Sequence, residues 1–319
     1  IGFTPDWSRD EMPIMPKKRY DIMRSYMPTK GDHGLDMMLR SCTSQVNLDY
    51  SSEIDMIKKL RLSFLLQPIS TALFSNSPFC ENSLNGFSSY RSEVWKDTDP
   101  DRTGILTFIF DDDMGYERYV DYAMKVPMYF INRNGDYINL TGYSFDDFMN
   151  GKIESVKDFY PTIDDWELHL TTIFPEARLK KFIEMRGADA GSIEHVCALS
   201  AFWVGLMYDN NSLNAALELT KDISPEDLVS LRNIVPKKGL HSKLNTIDIY
   251  QLASEILSIS KEGLVRRNNL DENNLDESHY LRYLEDVISH KESPADNLAK
   301  KFKNSWNEEI SKIYENCRF

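Results

Sequence analysis

Cysteine is scarce in this chain. Cys42, Cys80, Cys197 and Cys317 are the four present in 319 residues, and they lie too far apart in sequence to give a metal-ligand spacing or a dense disulfide framework. A reducing cytoplasm is the compartment this usage leads one to expect. Long apolar runs are missing as well. Ala201 to Tyr208 is among the longest and is too short to span a bilayer, and no secretory signal pattern opens the chain, so no membrane partner is expected. Positive charge is in deficit, with 37 Lys and Arg against 50 Asp and Glu and a formal net charge of -13. That balance argues against a general affinity for nucleic acid, although arginines can still converge locally on an anionic ligand. Also absent are a Walker loop, Gly-x-Gly-x-x-Gly, Gly-x-Ser-x-Gly and His-Glu-x-x-His, which removes the common phosphate-binding and hydrolase signatures.

What is present is alternation. Along Phe182 to Asp189 a strand of period two points Glu184 and Arg186 to one face and Ile183 and Met185 to the other. Across Ser41 to Tyr50, Thr43, Gln45, Asn47 and Asp49 share one face, while Cys42, Val46 and Leu48, with Ser44, share the other. A polar strand face beside a buried one suits a charged ligand or a hard cation. Spacing alone equally fits, and favours, an antiparallel sheet with one solvated face.

The composition, 41% hydrophobic and 27% charged, is that of a globular protein, and the length permits one large domain or two ordinary ones. Ile1-Gly-Phe reads like the inside of a strand, which suggests a processed or truncated polypeptide. Lys17 to Met27, bracketed by prolines, reads as a short helix. Glu53 to Phe74 reads as a helix with Ile54, Ile57, Leu60, Phe64 and Leu65 on its apolar stripe and an interruption at Pro68. Ile105 to Phe110 reads as a strand, and Met128 to Asn132 with Asp136 to Leu140 as a hairpin around Asn134-Gly135. Glu117 to Ala123 adds a helix. From about Asn211 the pattern is helical: 212 to 220, 224 to 233, 246 to 262, 277 to 290 and 294 to 317, with Ser224-Pro225-Glu226-Asp227 as a start signal.

Three arginines stand in unusual company: Arg19 after two lysines, Arg91 in Tyr-Arg-Ser-Glu-Val-Trp, and Arg186 on its strand. Taken singly, each fits a surface or salt-bridged arginine. Asp97 to Gly104 is dense in carboxylates, but Pro100 and the lack of a distal Glu make it an acidic turn rather than a calcium loop. His169 reads as a core or capping histidine. For Tyr129 and Trp203 a packed core ring is the first reading and a pocket wall the second.

The words of the sequence go further than its spacing. Met-Pro-Lys-Lys-Arg-Tyr-Asp-Ile-Met-Arg (15 to 24), Leu-Asp-Met-Met-Leu-Arg-Ser-Cys-Thr-Ser-Gln-Val-Asn-Leu-Asp (35 to 49), Leu-Gln-Pro-Ile-Ser-Thr-Ala-Leu-Phe-Ser-Asn-Ser-Pro-Phe (66 to 79), Asp-Thr-Asp-Pro-Asp-Arg-Thr-Gly (97 to 104), His-Leu-Thr-Thr-Ile-Phe-Pro-Glu (169 to 176) and Glu-Met-Arg-Gly-Ala-Asp (184 to 189) closely resemble the plant and proteobacterial type of glutamate–cysteine ligase. The resemblance implies an α+β, glutamine-synthetase-like fold: a curved antiparallel sheet forming a funnel, flanking helices and a helical C-terminal third. It implies a single catalytic domain over 1 to 319, lacking its N-terminal part, with a sheet-containing portion at 1 to 210 and a mainly helical portion at 211 to 319. The implied reaction is ATP-dependent ligation of the glutamate γ-carboxylate to the cysteine amine through γ-glutamyl phosphate, the first step of glutathione biosynthesis. The alternatives are a γ-glutamyl ligase for another amine and a non-catalytic glutamate-binding fragment.

By the same resemblance Glu184 is a magnesium ligand and, with Arg186 on the phosphoryl group or reacting carboxylate, a catalytic residue. Arg19 and Arg91 hold the glutamate carboxylates, Tyr129 lines the cysteine pocket, and Gln45 and Asn47 lie near metal and nucleotide. Mg2+ is the implied cofactor and ATP the co-substrate, in a cytoplasmic monomer or homodimer whose partners are small molecules. Two departures from the family pattern stand out: Ala190-Gly191-Ser192-Ile193-Glu194-His195 replaces a segment carrying an aromatic and two positive charges, and Leu140 replaces a plant redox cysteine.

Overall fold

The computed structural model describes residues 1–317. It is an α+β structure in which helices predominate and strands are short. Its largest sheet has three antiparallel strands, with Ile183–Met185 central between Val46–Leu48 and Ala177–Leu179. The pairing aligns Asn47 with Glu184 and Arg178 with Glu184, so these three residues form one row across the sheet. Alternation does the rest. Val46, Leu48, Ile183, Met185, Ala177 and Leu179 enter the main apolar cluster, which also takes Leu60 and Phe64 from the Glu53–Leu65 helix and Ile256, Leu264 and Leu284 from the last third of the chain. One continuous core therefore joins the sheet to the C-terminal helices. Met128, Ile131, Leu140, Phe145, Phe148, Ile153 and Val156 pack as a separate, smaller cluster.

Several expected elements form as read. The helix near Lys17 spans Lys18–Tyr26, and the hairpin pairs Phe130–Arg133 with Asp136–Asn139. Asn134 (φ 54°) and Gly135 (φ 89°) both occupy the left-handed region that a two-residue type I′ turn requires. Ser224 caps the Pro225–Lys238 helix by accepting from the Asp227 amide at 3.0 Å, while Asp227 returns the bond to the Ser224 backbone at 3.2 Å.

Other elements differ. The strand expected at Ile105 to Phe110 is a 3-10 turn at Thr107–Phe110. The Arg61 guanidinium binds the Ile109 and Asp111 carbonyls at 2.9 and 2.7 Å, taking up acceptors that a strand partner would need. Within Ser41 to Tyr50 only Val46–Leu48 is strand; Thr43 joins Asp189 by a single bridge, and Cys42, expected on the covered face, is exposed. Glu53 to Phe74 is two helices, Glu53–Leu65 and Gln67–Leu73, with Pro68 in the first turn of the second. Ile54, in the first turn, lies outside the apolar stripe and is 71% exposed. The last helix is divided into Pro294–Asn304 and Lys312–Asn316, because Asn307 and Glu308 take positive φ values between them.

The Ile193–Met207 helix has no counterpart among the sequence-derived elements. It crosses the Ile249–Arg267 helix at two glycines, Gly205 and Gly263. A methyl group at either position would overlap the backbone of the facing helix, so the two main chains touch without intervening side chains.

Candidate active site

The sheet face opposite the core carries charge. Gln45 and Arg186 lie one period from the Asn47–Glu184–Arg178 row and share its face. Arg178 reaches both carboxylate oxygens of Glu184, at 2.9 and 2.8 Å, and Arg186 donates to the same carboxylate. With the Gln45 amide oriented by its neighbours, its nitrogen donates to Glu184 Oε1 at 3.0 Å and its oxygen accepts from Arg186 at 3.3 Å. Burial pushes the Glu184 carboxyl up, but Arg186 and Arg178 outweigh it and hold the group below the usual carboxylate range. Arg186 moves down to about 10, through burial first and the Arg178 charge second.

Aromatic rings and carbonyls fix these guanidiniums. Arg186 lies over Trp95, 5.3 Å from the ring centre, and over Phe174 at 5.7 Å. Arg178 also donates to the Thr171 and Ile173 carbonyls at 2.9 and 3.2 Å. Thr171, whose carbonyl accepts from Arg178, lines two cavities, and none of Arg178, Glu184, Arg186 and Gln45 lines either of them. The first, about 380 Å³, is walled by Arg19, Arg24, Met23, Met37, Phe130 and Phe174. The second, about 510 Å³, is walled by Tyr50, Tyr116, Tyr119, Trp166 and Phe182, with Lys180 and Lys181 among its lining residues.

The expected site residues separate into three places. Glu184, Arg186 and Gln45 form the charged cluster, with Asn47 exposed at its strand edge. Arg19 lines the first cavity, and its Nε is buried without a hydrogen-bond partner. Arg91 and Tyr129 line neither cavity. Arg91 is 3% exposed and donates to the Arg186 carbonyl at 2.7 Å. Tyr129 packs in the same apolar cluster as Met23 and Phe130, under the Arg102 guanidinium at 4.0 Å, so it stands one layer behind the cavity wall.

Magnesium was expected on Glu184, and the residues present do not fit it. Both carboxylate oxygens are engaged by cations, and no group of three or more His, Cys, Asp or Glu able to hold a metal occurs among the described residues. Arg178 and Trp95 escaped the sequence reading. A signal for Arg178 did exist: in a tight antiparallel hairpin a residue six positions before Glu184 is its cross-strand neighbour. His169 is buried, with Nε2 donating to the Ala123 carbonyl at 2.8 Å, as a core histidine should. His195 is buried and donates to the Asp189 carbonyl at 2.9 Å.

The family model for "Glutamate-cysteine ligase family 2" matches residues 1–316. The chain belongs to this family. Among curated relatives, "Glutamate--cysteine ligase, chloroplastic" of Arabidopsis thaliana is 50% identical over 315 residues, covering 99% of this chain and 59% of that protein. "Glutamate--cysteine ligase B, chloroplastic" of Oryza sativa subsp. japonica is 51% identical over 315 residues, covering 99% and 62%. "Glutamate--cysteine ligase, chloroplastic" of Medicago truncatula is 48% identical over 315 residues, covering 99% and 61%. The chain thus spans about three-fifths of the length of the curated relatives it matches. The cytoplasmic location expected from cysteine usage is corrected by these names, which call the relatives chloroplastic. Few cysteines and no disulfide pattern do not distinguish one reducing compartment from another.

Proposed function

We propose that this chain carries a substrate-activating face of an ATP-dependent glutamate–cysteine ligase, working in a plastid. The observation that carries the reading is the buried Arg178–Glu184–Arg186 cluster, tied through the Thr171 carbonyl to a residue that lines two cavities of different chemistry, in a chain of this family. In the proposed reaction a glutamate γ-carboxylate oxygen attacks the γ-phosphorus of ATP, and ADP leaves. The cysteine amine then attacks the acyl phosphate carbon, loses a proton and expels phosphate, leaving γ-glutamylcysteine.

That sequence gathers several negative charges, which suits fixed guanidiniums that need no reorganisation. Arg19 takes a glutamate carboxylate in the first cavity, and Arg91 supports the glutamate end from behind Arg186. The aromatic walls of the second cavity suit a purine ring, and Lys180 and Lys181 suit its phosphates. Tyr129 backs the pocket for the amine substrate, and Gln45 and Asn47 lie on the nucleotide side. Glu184, held by two arginines, orients Arg186 towards the reacting phosphoryl group. The three-stranded sheet is read as part of the glutamine-synthetase-like funnel.

A different amine acceptor is the second reading, favoured by the Ala190 to His195 departure. The test is ADP release and product mass with MgATP, glutamate and cysteine, each left out in turn. ADP and γ-glutamylcysteine in equal amounts, only with all three present, is the expected result. ADP formed with glutamate but indifferent to cysteine would transfer support to the second reading, and no turnover at all would remove the ligase reading for this chain.

A further inference from the structure

Asp189 ends the Glu-Met-Arg-Gly-Ala-Asp run and is fully buried, yet the chemistry described above gives it no task. Its carboxylate gathers donors from two separate segments. Oδ2 accepts from the Asn76 amide at 2.7 Å and the Ser77 hydroxyl at 2.6 Å; Oδ1 accepts from the Ser89 hydroxyl at 2.8 Å. Arg91 Nη1 lies 3.9 Å from Oδ1, and the Arg91 amide donates to the same Ser77 hydroxyl at 3.1 Å. Ser89 is also the N-cap of the Tyr90–Lys96 helix, which carries both Arg91 and Trp95. The carboxylate thus ties the start of that helix to the chain leaving the Glu184 strand.

The node has no slack. A side chain at Gly2 would overlap the Asp189 carboxylate, and His195 holds the Asp189 carbonyl from the other side. Arg91 is 3% exposed, its Nε has no partner, and its Nη2 is spent on the Arg186 carbonyl. A buried guanidinium in that state needs a fixed counter-charge to stay aimed.

We propose that Asp189 is a positioning residue that, with Ser77 and Ser89, sets the Arg91 guanidinium against the Arg186 backbone and so presets the glutamate-binding end of the site. The proposal rests on the ligase reading for what Arg91 supports from behind Arg186, and on the geometry alone for what Asp189 holds.

The test uses the full chain with Asp189→Asn, which keeps the shape and removes the charge, and Ser77→Ala, a milder change that remains informative where Asp189→Asn folds poorly. Positioning predicts that the KM for glutamate rises about tenfold in the first variant and about threefold in the second while kcat stays within about twofold. A crystal structure of either variant would show the Arg91 guanidinium withdrawn from the Arg186 carbonyl. A lowered Tm with unchanged KM and an unmoved Arg91 would overturn the proposal, because a purely structural role predicts that pattern. If the unaltered chain makes no γ-glutamylcysteine the ligase reading falls, and the position of Arg91 in the variant structures still decides the role of Asp189.

Discussion

The two faces of the three-stranded sheet are written by alternate residues of the same short segments and held by different physics. On the core side Ile183, Met185, Val46 and Leu179 gain from leaving water, an interaction with no required direction. On the other side Glu184 is buried among Arg178, Arg186 and Gln45, where each charge is tolerable because its partners are in place. The apolar face should degrade gradually under substitution. The charged face should fail at once.

The sharpest contrast comes from Glu184. Glu184→Ala leaves two guanidiniums buried without their acceptor, so we expect a loss of about 3–5 kcal/mol in urea unfolding and no measurable ligation. Glu184→Gln, which keeps the volume, should recover part of the stability and little of the turnover. A fully active Glu184→Gln would erase the distinction between the faces. On the opposite face, one residue away, Ile183→Ala should cost about 2–4 kcal/mol, while kcat per folded molecule stays as in the parent. A parallel loss of kcat would show that the charged face depends on the packing beneath it.

Acid gives a gentler comparison. Burial lowers His169 and His195 to about 4, well below the unfolded histidine value, so their contribution to stability is complete above about pH 6.5 and is lost as pH falls towards 4. Glu184, held below its unfolded value, contributes fully above about pH 4.3 and loses that contribution only in more acidic solution. Unfolding free energy should therefore fall first between pH 6.5 and 4 with the charged cluster intact. Replacing His169 by Gln should flatten that first decline, and replacing Glu184 should leave it unchanged.

Much of this arrangement was legible because it is local. Period two assigned Glu184 and Arg186 to one face, Asn134-Gly135 marked the hairpin, and Ser224 with Asp227 marked a helix start. Partnership was harder. Which residue sits across from Glu184 depends on strand register, and the cavities depend on how distant segments meet at Thr171. The Ile193–Met207 helix hid for another reason: it is apolar nearly all round, so it lacks the one-sided stripe by which helices announce themselves. The depth of Tyr129, 1% exposed beneath the Arg102 guanidinium, is likewise set by tertiary packing that no local pattern in the sequence reports.

The paired glycines at 205 and 263 carry a consequence for motion. Helices that pack through side chains can slide a little, because rotamers readjust as the surfaces shear. Here backbone rests on backbone, and a rivet of that kind lets neither helix translate past the other. The Ile193–Met207 helix begins just beyond the Glu184 strand, so the rivet anchors the sheet from behind. Widening the first cavity then falls to elements packed outside that anchor, among them the Phe130–Arg133 strand, whose Phe130 forms part of its wall.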